Sequence, residues 1–176
     1  DLAHLTPQEV RELIRKNDIN QPTSGMCKGH IQANVVIVPK SLAYDFLLFV
    51  QRNPKSCLVL DVTDVGSVEP RLMAKGADLR FDVPKYRIYQ FGKLVDEVSD
   101  LRDYWRDDLV CFLLGCSFSF ESALANAAIP IRHIEDNHNV PMYITNIETE
   151  PAGQFHGKMV VSMRPIPYQL VTRAEI

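Results

Sequence analysis

Residues 109–128 read LVCFLLGCSFSFESALANAA, and the local physics changes twice along them. LVCFLL is apolar at every position, which predicts a strand covered on both faces and not one half-open to water. Gly115-Cys116-Ser117 then predicts a turn. The alanine-rich stretch 120–128 predicts a helix, which Pro130 ends. A buried strand feeding a helix is the building unit of a sheet covered by helices.

Working upstream, ANVVIV at 33–38 is a β-branched run stopped by Pro39, and residues 57–62 predict a second buried strand. Between them Ser41 is the expected cap of a helix carrying Leu42, Phe46, Phe49 and Val50, ending before Asn53-Pro54. At the N-terminus Thr6-Pro7 with Glu9 is a capping signature for a short amphipathic helix. YRIYQF and KLVDEV around Gly92 predict a hairpin, and the acidic segment 100–108 predicts a short helix. Downstream, IPIRHIE, NVPMYITNI and KMVVSMRPI predict extended segments. The fold class expected is α/β: a mixed sheet covered by helices over residues 1–128, then the start of a smaller strand-rich α+β subdomain over 129–176.

Composition narrows the class of function. A chain of 176 residues with 46% hydrophobic and 23% charged residues can bury a core. A net charge of -3 with no basic stripe argues against a nucleic-acid partner. The longest apolar run, 109–116, is far short of the ~18 residues a membrane span requires, so no membrane partner is expected. The four cysteines form no C-x-x-C pair and are too few for a disulfide framework, which predicts reduced thiols and a cytoplasmic location. Neither glycine-rich phosphate loop is present, so no nucleotide is expected and the working mechanism is cofactor-free. A homo-oligomer is compatible with all of this.

Several longer strings stand in one order: TSGMCKGHIQANVVIVP, AYDFLLFVQRNPK, LVLDVTDVGS, GADLRFDVPKYRIYQFGKL, WRDDLVCFLLGCSFSFESAL, IPIRHIE, NVPMYITNI and PAGQFHGKMVVSMRP. Together, from about Thr6 to Pro167, they resemble a hydro-lyase family related to mitochondrial D-glutamate cyclase. The resemblance implies a two-part α/β architecture and a lyase acting on a small carboxylate-bearing metabolite. For the cyclase relatives it implies closure of D-glutamate to 5-oxo-D-proline with loss of water. It also implies a longer polypeptide, continuing through a histidine- and glycine-rich region.

The resemblance centres on GCSFSFE, where a strand opening into a helix places backbone N–H groups at the turn. Ser117 and Ser119 are candidate donors to a substrate carboxylate, and Cys116 is a candidate thiolate favoured by the same field; the alternative is a small buried thiol with two capping serines. Serine replaces the last glycine of a nucleophile elbow, which weighs against an esterase. His133 is a candidate general base tuned by Glu135, two residues along one strand face. His133, Glu135 and His138 also form H-x-E-x-x-H, a metal-capable set whose spacing matches no helical zinc motif, so no metal is expected. Arg80 (beside Asp82), Arg132, Arg164 and Arg87 are candidates for gripping a carboxylate. Asn34, Tyr143, Thr145 and Asn146 are neutral groups able to orient a ligand. Two other functions fit the same residues: a binding module without turnover, and a metal-dependent hydrolase on the histidine set.

Overall fold

A computed structural model describes residues 1–136 and 138–175. Its centre is a three-stranded antiparallel sheet in the order β1 (Ala33–Pro39), β5 (Leu109–Gly115), β2 (Val59–Val62). β5 lies in the middle, and all but its last residue are buried. The unbroken apolar run has a two-sided explanation. Val110, Phe112 and Leu114 pack with Val38, Phe46 and Val50. Cys111 and Leu113 pack on the other side with Leu79, Val35, Ile37 and Trp105. Alternate side chains of one strand thus serve two cores.

α2 (Lys40–Arg52) follows β1 without a loop, its Phe46 meeting Phe112 edge-to-face at 4.8 Å. Its N-cap is Pro39, with no side-chain cap bond, and not the expected Ser41. One of the helix's first free amides is satisfied across the sheet, Lys40 N donating to Asp108 O at 2.7 Å. α1 (Pro7–Arg15) has the expected reciprocal capping box between Thr6 and Glu9. It forms a small core of its own, Val10 and Ile14 against Ile19 and Met26.

β3 (Tyr86–Gln90) and β4 (Lys93–Val98) form the expected hairpin. Phe91 and Gly92 at its tip both have positive φ, the geometry that matches strand twist in a two-residue turn. β6 (Met142–Glu148) pairs with β7 (Lys158–Ser162) as a separate antiparallel ribbon, with Met142, Ile144, Ile147 and Val160 exposed. The loop between these strands ties the ribbon to the first sheet's helix. Asn53 Nδ2 donates to Glu150 O, Glu150 N donates to Asn53 Oδ1, both at 2.8 Å, and Phe155 enters the α2 core. The class is therefore α/β as expected, helices together with several sheets.

Two local expectations are corrected. Residues 100–108 are turns and not a helix, because Arg102 folds back on Asp100 and Arg106 on Asp108 two residues away. Such local side-chain pairs compete with helical geometry. The segment 129–135 is not extended throughout: Ile131 keeps extended backbone, but Arg132–Glu135 is one helical turn, α4. Ile129, Ile131 and His133 are buried, and a short apolar stretch of this length is ambiguous between strand and helix from pattern alone.

Candidate functional site

The turn after β5 begins at Cys116, continues as a 3-10 turn over Ser117–Phe120, and becomes α3 (Glu121–Asn126). The helix expected over 120–128 is thus the shorter α3, joined directly to the 3-10 turn. Glu121, at their junction, is turned inward, its side chain only 9% exposed. A carboxylate this buried must be paired or neutral.

Arg164, just beyond β7, supplies the pair. Its Nε and Nη2 donate to Glu121 Oε1 at 3.0 and 2.6 Å. Its Nη1 donates to Ser162 Oγ at 2.9 Å, and Nη2 also reaches the carbonyl and hydroxyl oxygens of Ser117 at 3.4 Å. Ser162 Oγ in turn donates to Ser117 Oγ at 3.2 Å. The guanidinium carbon stands 4.7 Å from the centre of the Phe120 ring, a cation–π contact that covers its apolar side.

His133 completes the cluster from α4. Its side chain is 7% exposed and its Nε2 lies 3.0 Å from the same Glu121 Oε1. That distance would suit a hydrogen bond, but the angle does not, and among the described residues Nε2 has no hydrogen-bond partner. A buried nitrogen left without a partner carries a desolvation cost of about 1–3 kcal/mol, which a proton transfer or a ligand atom would relieve. The arrangement sets an imidazole and a permanently charged guanidinium against one oxygen of the same buried carboxylate.

The other sequence candidates fall in different places. Ser119 faces the loop before β1, where its Oγ accepts from Gln32 N at 3.2 Å and donates to Gln32 O at 3.4 Å. Cys116 is half-buried at the strand mouth. Glu135 is exposed. It does not share a face with His133, since i and i+2 diverge on a helical turn. Arg132 is 75% exposed, with Asp136 at 3.9 Å. Arg80 is spent on Asp78, donating through Nε at 2.9 Å and Nη2 at 2.7 Å. Burial pushes the Asp78 carboxyl up, but those hydrogen bonds outweigh it and hold it below the usual aspartate range. Arg87 pairs with Glu97 on the exposed hairpin. Asn34, Tyr143 and Asn146 are exposed, while Thr145 donates to Met159 O across the ribbon. His138 is exposed, and among the described residues no three His, Cys, Asp or Glu side chains are grouped to hold a metal.

The structure thus brings Ser117, His133 and Arg164 together and adds two residues the sequence reading passed over, Glu121 and Ser162. Glu121 was detectable: it is a lone carboxylate four residues after Ser117, entering an alanine-rich helix that offers it no local cation. Ser162 had no such signal.

Comparison with known proteins bears on the same segment. The profile of the D-glutamate cyclase family matches residues 110–175, which contain every member of the cluster. A protein from Psychrobacter arcticus named "Putative hydro-lyase" is 84% identical over 174 residues, covering 99% of this chain and 66% of its own length. The chain belongs to this hydro-lyase family. Relatives carrying the same name from Thermoanaerobacter pseudethanolicus and Bacillus subtilis are 67% and 59% identical, over 97% of the chain in each case. The chain spans 64% and 66% of their respective lengths, somewhat less than two thirds. No helix among the described residues is long and apolar enough to cross a membrane.

Proposed function

We propose that this chain supplies the acid–base cluster of a hydro-lyase acting on a small carboxylate-bearing metabolite. The observation that carries the reading is the convergence of His133 Nε2 and Arg164 on one oxygen of buried Glu121, at the turn that ends β5. In an elimination, a base takes the proton from the carbon next to the carboxylate. The electron pair forms the double bond, and the hydroxyl on the neighbouring carbon leaves as water after receiving a proton. His133 and Glu121 are the pair that moves protons. Arg164 is a positioning residue that fixes the carboxylate, and Ser117 and Ser162 hold Arg164.

The finer reading is cyclisation of D-glutamate. There the amine loses a proton and its nitrogen bonds to the side-chain carboxyl carbon. The C–O bond breaks, the oxygen departs as water, and 5-oxo-D-proline remains. Support for this substrate is the family profile over residues 110–175.

The test is incubation of the purified protein, and of the full-length Psychrobacter arcticus relative, with D-glutamate and a panel of small hydroxy acids, products being identified by mass spectrometry. His133→Asn and Glu121→Gln should abolish turnover, while Arg87→Gln on the hairpin should leave it intact. Wild-type turnover by a correctly folded His133→Asn variant would refute the assignment. A second reading, a binding module without turnover, is favoured by the closure of the cluster: its charged side chains are 7–9% exposed, and the two cavities described below lie elsewhere. In that case the same variants lose affinity for a ligand that no form of the protein converts.

A further inference from the structure

The other face of the central sheet carries an open cleft of about 180 Å³ between α1, the loop before β1 and the end of β5. One water needs roughly 10–15 Å³ of such space, so the cleft has room for a small metabolite. Its floor is aliphatic, formed by Val10, Ile14, Met26, Val35 and Leu113. Arg11 stands at its edge and also borders a second cavity of about 140 Å³.

The Arg11 side chain is 20% exposed, yet its guanidinium has no hydrogen-bond acceptor among the described residues. Its nearest carboxylate is Asp82, 3.8 Å away and 2% exposed. Asp82 is already taken. Arg15 grips both of its oxygens, and Asp78 N donates to Oδ2 at 2.7 Å. Glu9 is committed to the capping box with Thr6, and Glu12 borders the other cavity. A largely buried guanidinium with unused donors, beside an aliphatic floor, lacks one thing: a planar acceptor with an apolar body.

We propose that this cleft binds a small organic carboxylate with an aliphatic body, anchored by Arg11. The site stands apart from the Glu121–His133 cluster and does not depend on the elimination reading. The test is NMR titration of the amide-labelled protein with isovalerate, with isovaleramide as its neutral counterpart and with sulfate as a bare anion. Isovalerate should cause saturable shifts at Ala33, Val35 and Leu113, with isovaleramide at least tenfold weaker and sulfate inactive at those amides. Arg11→Gln should weaken isovalerate at least tenfold, Arg11→Lys less so, and Arg87→Gln on the exposed hairpin should leave isovalerate affinity unchanged. The proposal is overturned if isovaleramide binds equally well, if sulfate reproduces the shifts, if Arg11→Gln binds like wild type, or if isovalerate fails to bind up to roughly tens of millimolar. Should Arg11→Gln not fold, the wild-type comparison of acid and amide decides alone.

Discussion

Removing one member of the Glu121–Arg164 pair should cost far more than removing both. Each side chain is more than nine-tenths buried, and Arg164 places two donors on one carboxylate oxygen. Glu121→Gln leaves a guanidinium inside without its counter-charge. Arg164→Met leaves a carboxylate facing only His133. Breaking a buried pair from one side costs about 3–5 kcal/mol. The double variant buries no unpaired charge and keeps comparable volume, so it should lose only about 1–2 kcal/mol, close to the neutral outcome of replacing both charges together. The two single losses would sum to about 6–10 kcal/mol, so the coupling energy should exceed about 4 kcal/mol. With a urea slope near 2 kcal/mol/M, each single variant should shift the unfolding midpoint down by roughly 1.5–2.5 M and the double by less than about 1 M. The assay is a double-mutant cycle from urea denaturation, checked for an unchanged slope. If the losses add to within about 0.5 kcal/mol, the two residues act independently and the cluster is not the unit argued above.

Three further outcomes follow from the same structure. Burial pushes the Cys111 thiol up to about 12 against the smaller lowering effect of the Thr63 hydroxyl, so at pH 8 Cys111 should resist Ellman's reagent until the protein unfolds, whereas half-buried Cys116 should react in the native state. Asp78 has a folded-state pKa below its ordinary value, so its contribution to stability is present above about pH 4 and disappears as pH falls through the lower folded value; the urea-midpoint gap between wild type and Asp78→Asn should close over that range. Gly66 has φ +77 and a Cβ there would stand 2.6 Å from the Asp107 carbonyl oxygen, while Gly76 has the same φ and open space; Gly76→Ala should cost about 1–2 kcal/mol of left-handed strain, and Gly66→Ala measurably more, seen as a further loss of several degrees in Tm.

The central strand, the first helix and the hairpin were legible because their signals are local. The unbroken apolar run of β5, the capping box of α1, and the Phe91-Gly92 hairpin each depend on residues within a few positions of one another. The errors have equally local causes. In 100–108 the acidic and arginine side chains satisfy each other two residues apart and hold the backbone in turns. In 129–135 a short apolar stretch is compatible with either a strand or a helical turn, and its last four residues take the turn.

The site was legible only in halves. GCSFSFE and SMRP were both singled out, yet the bond that unites them spans 43 residues and joins the first residue of α3 to a residue beyond β7. Nothing in either string specifies that meeting. It depends on where the β6–β7 ribbon sits, which the Asn53–Glu150 bonds and the entry of Phe155 beside α2 help to define. Those contacts are 97 residues apart in the case of Asn53 and Glu150, and periodicity carries no information at that range. What the local pattern did carry was an imbalance: an acidic residue entering an alanine-rich helix without a cation nearby, and an arginine after a strand without an adjacent acid. A buried charge requires a partner, so the two unmatched residues amount to a prediction of long-range contact. His133 fits the same logic from the opposite side. Its imidazole is packed against the pair without an aligned hydrogen bond, and stability alone supplies no reason to keep it there.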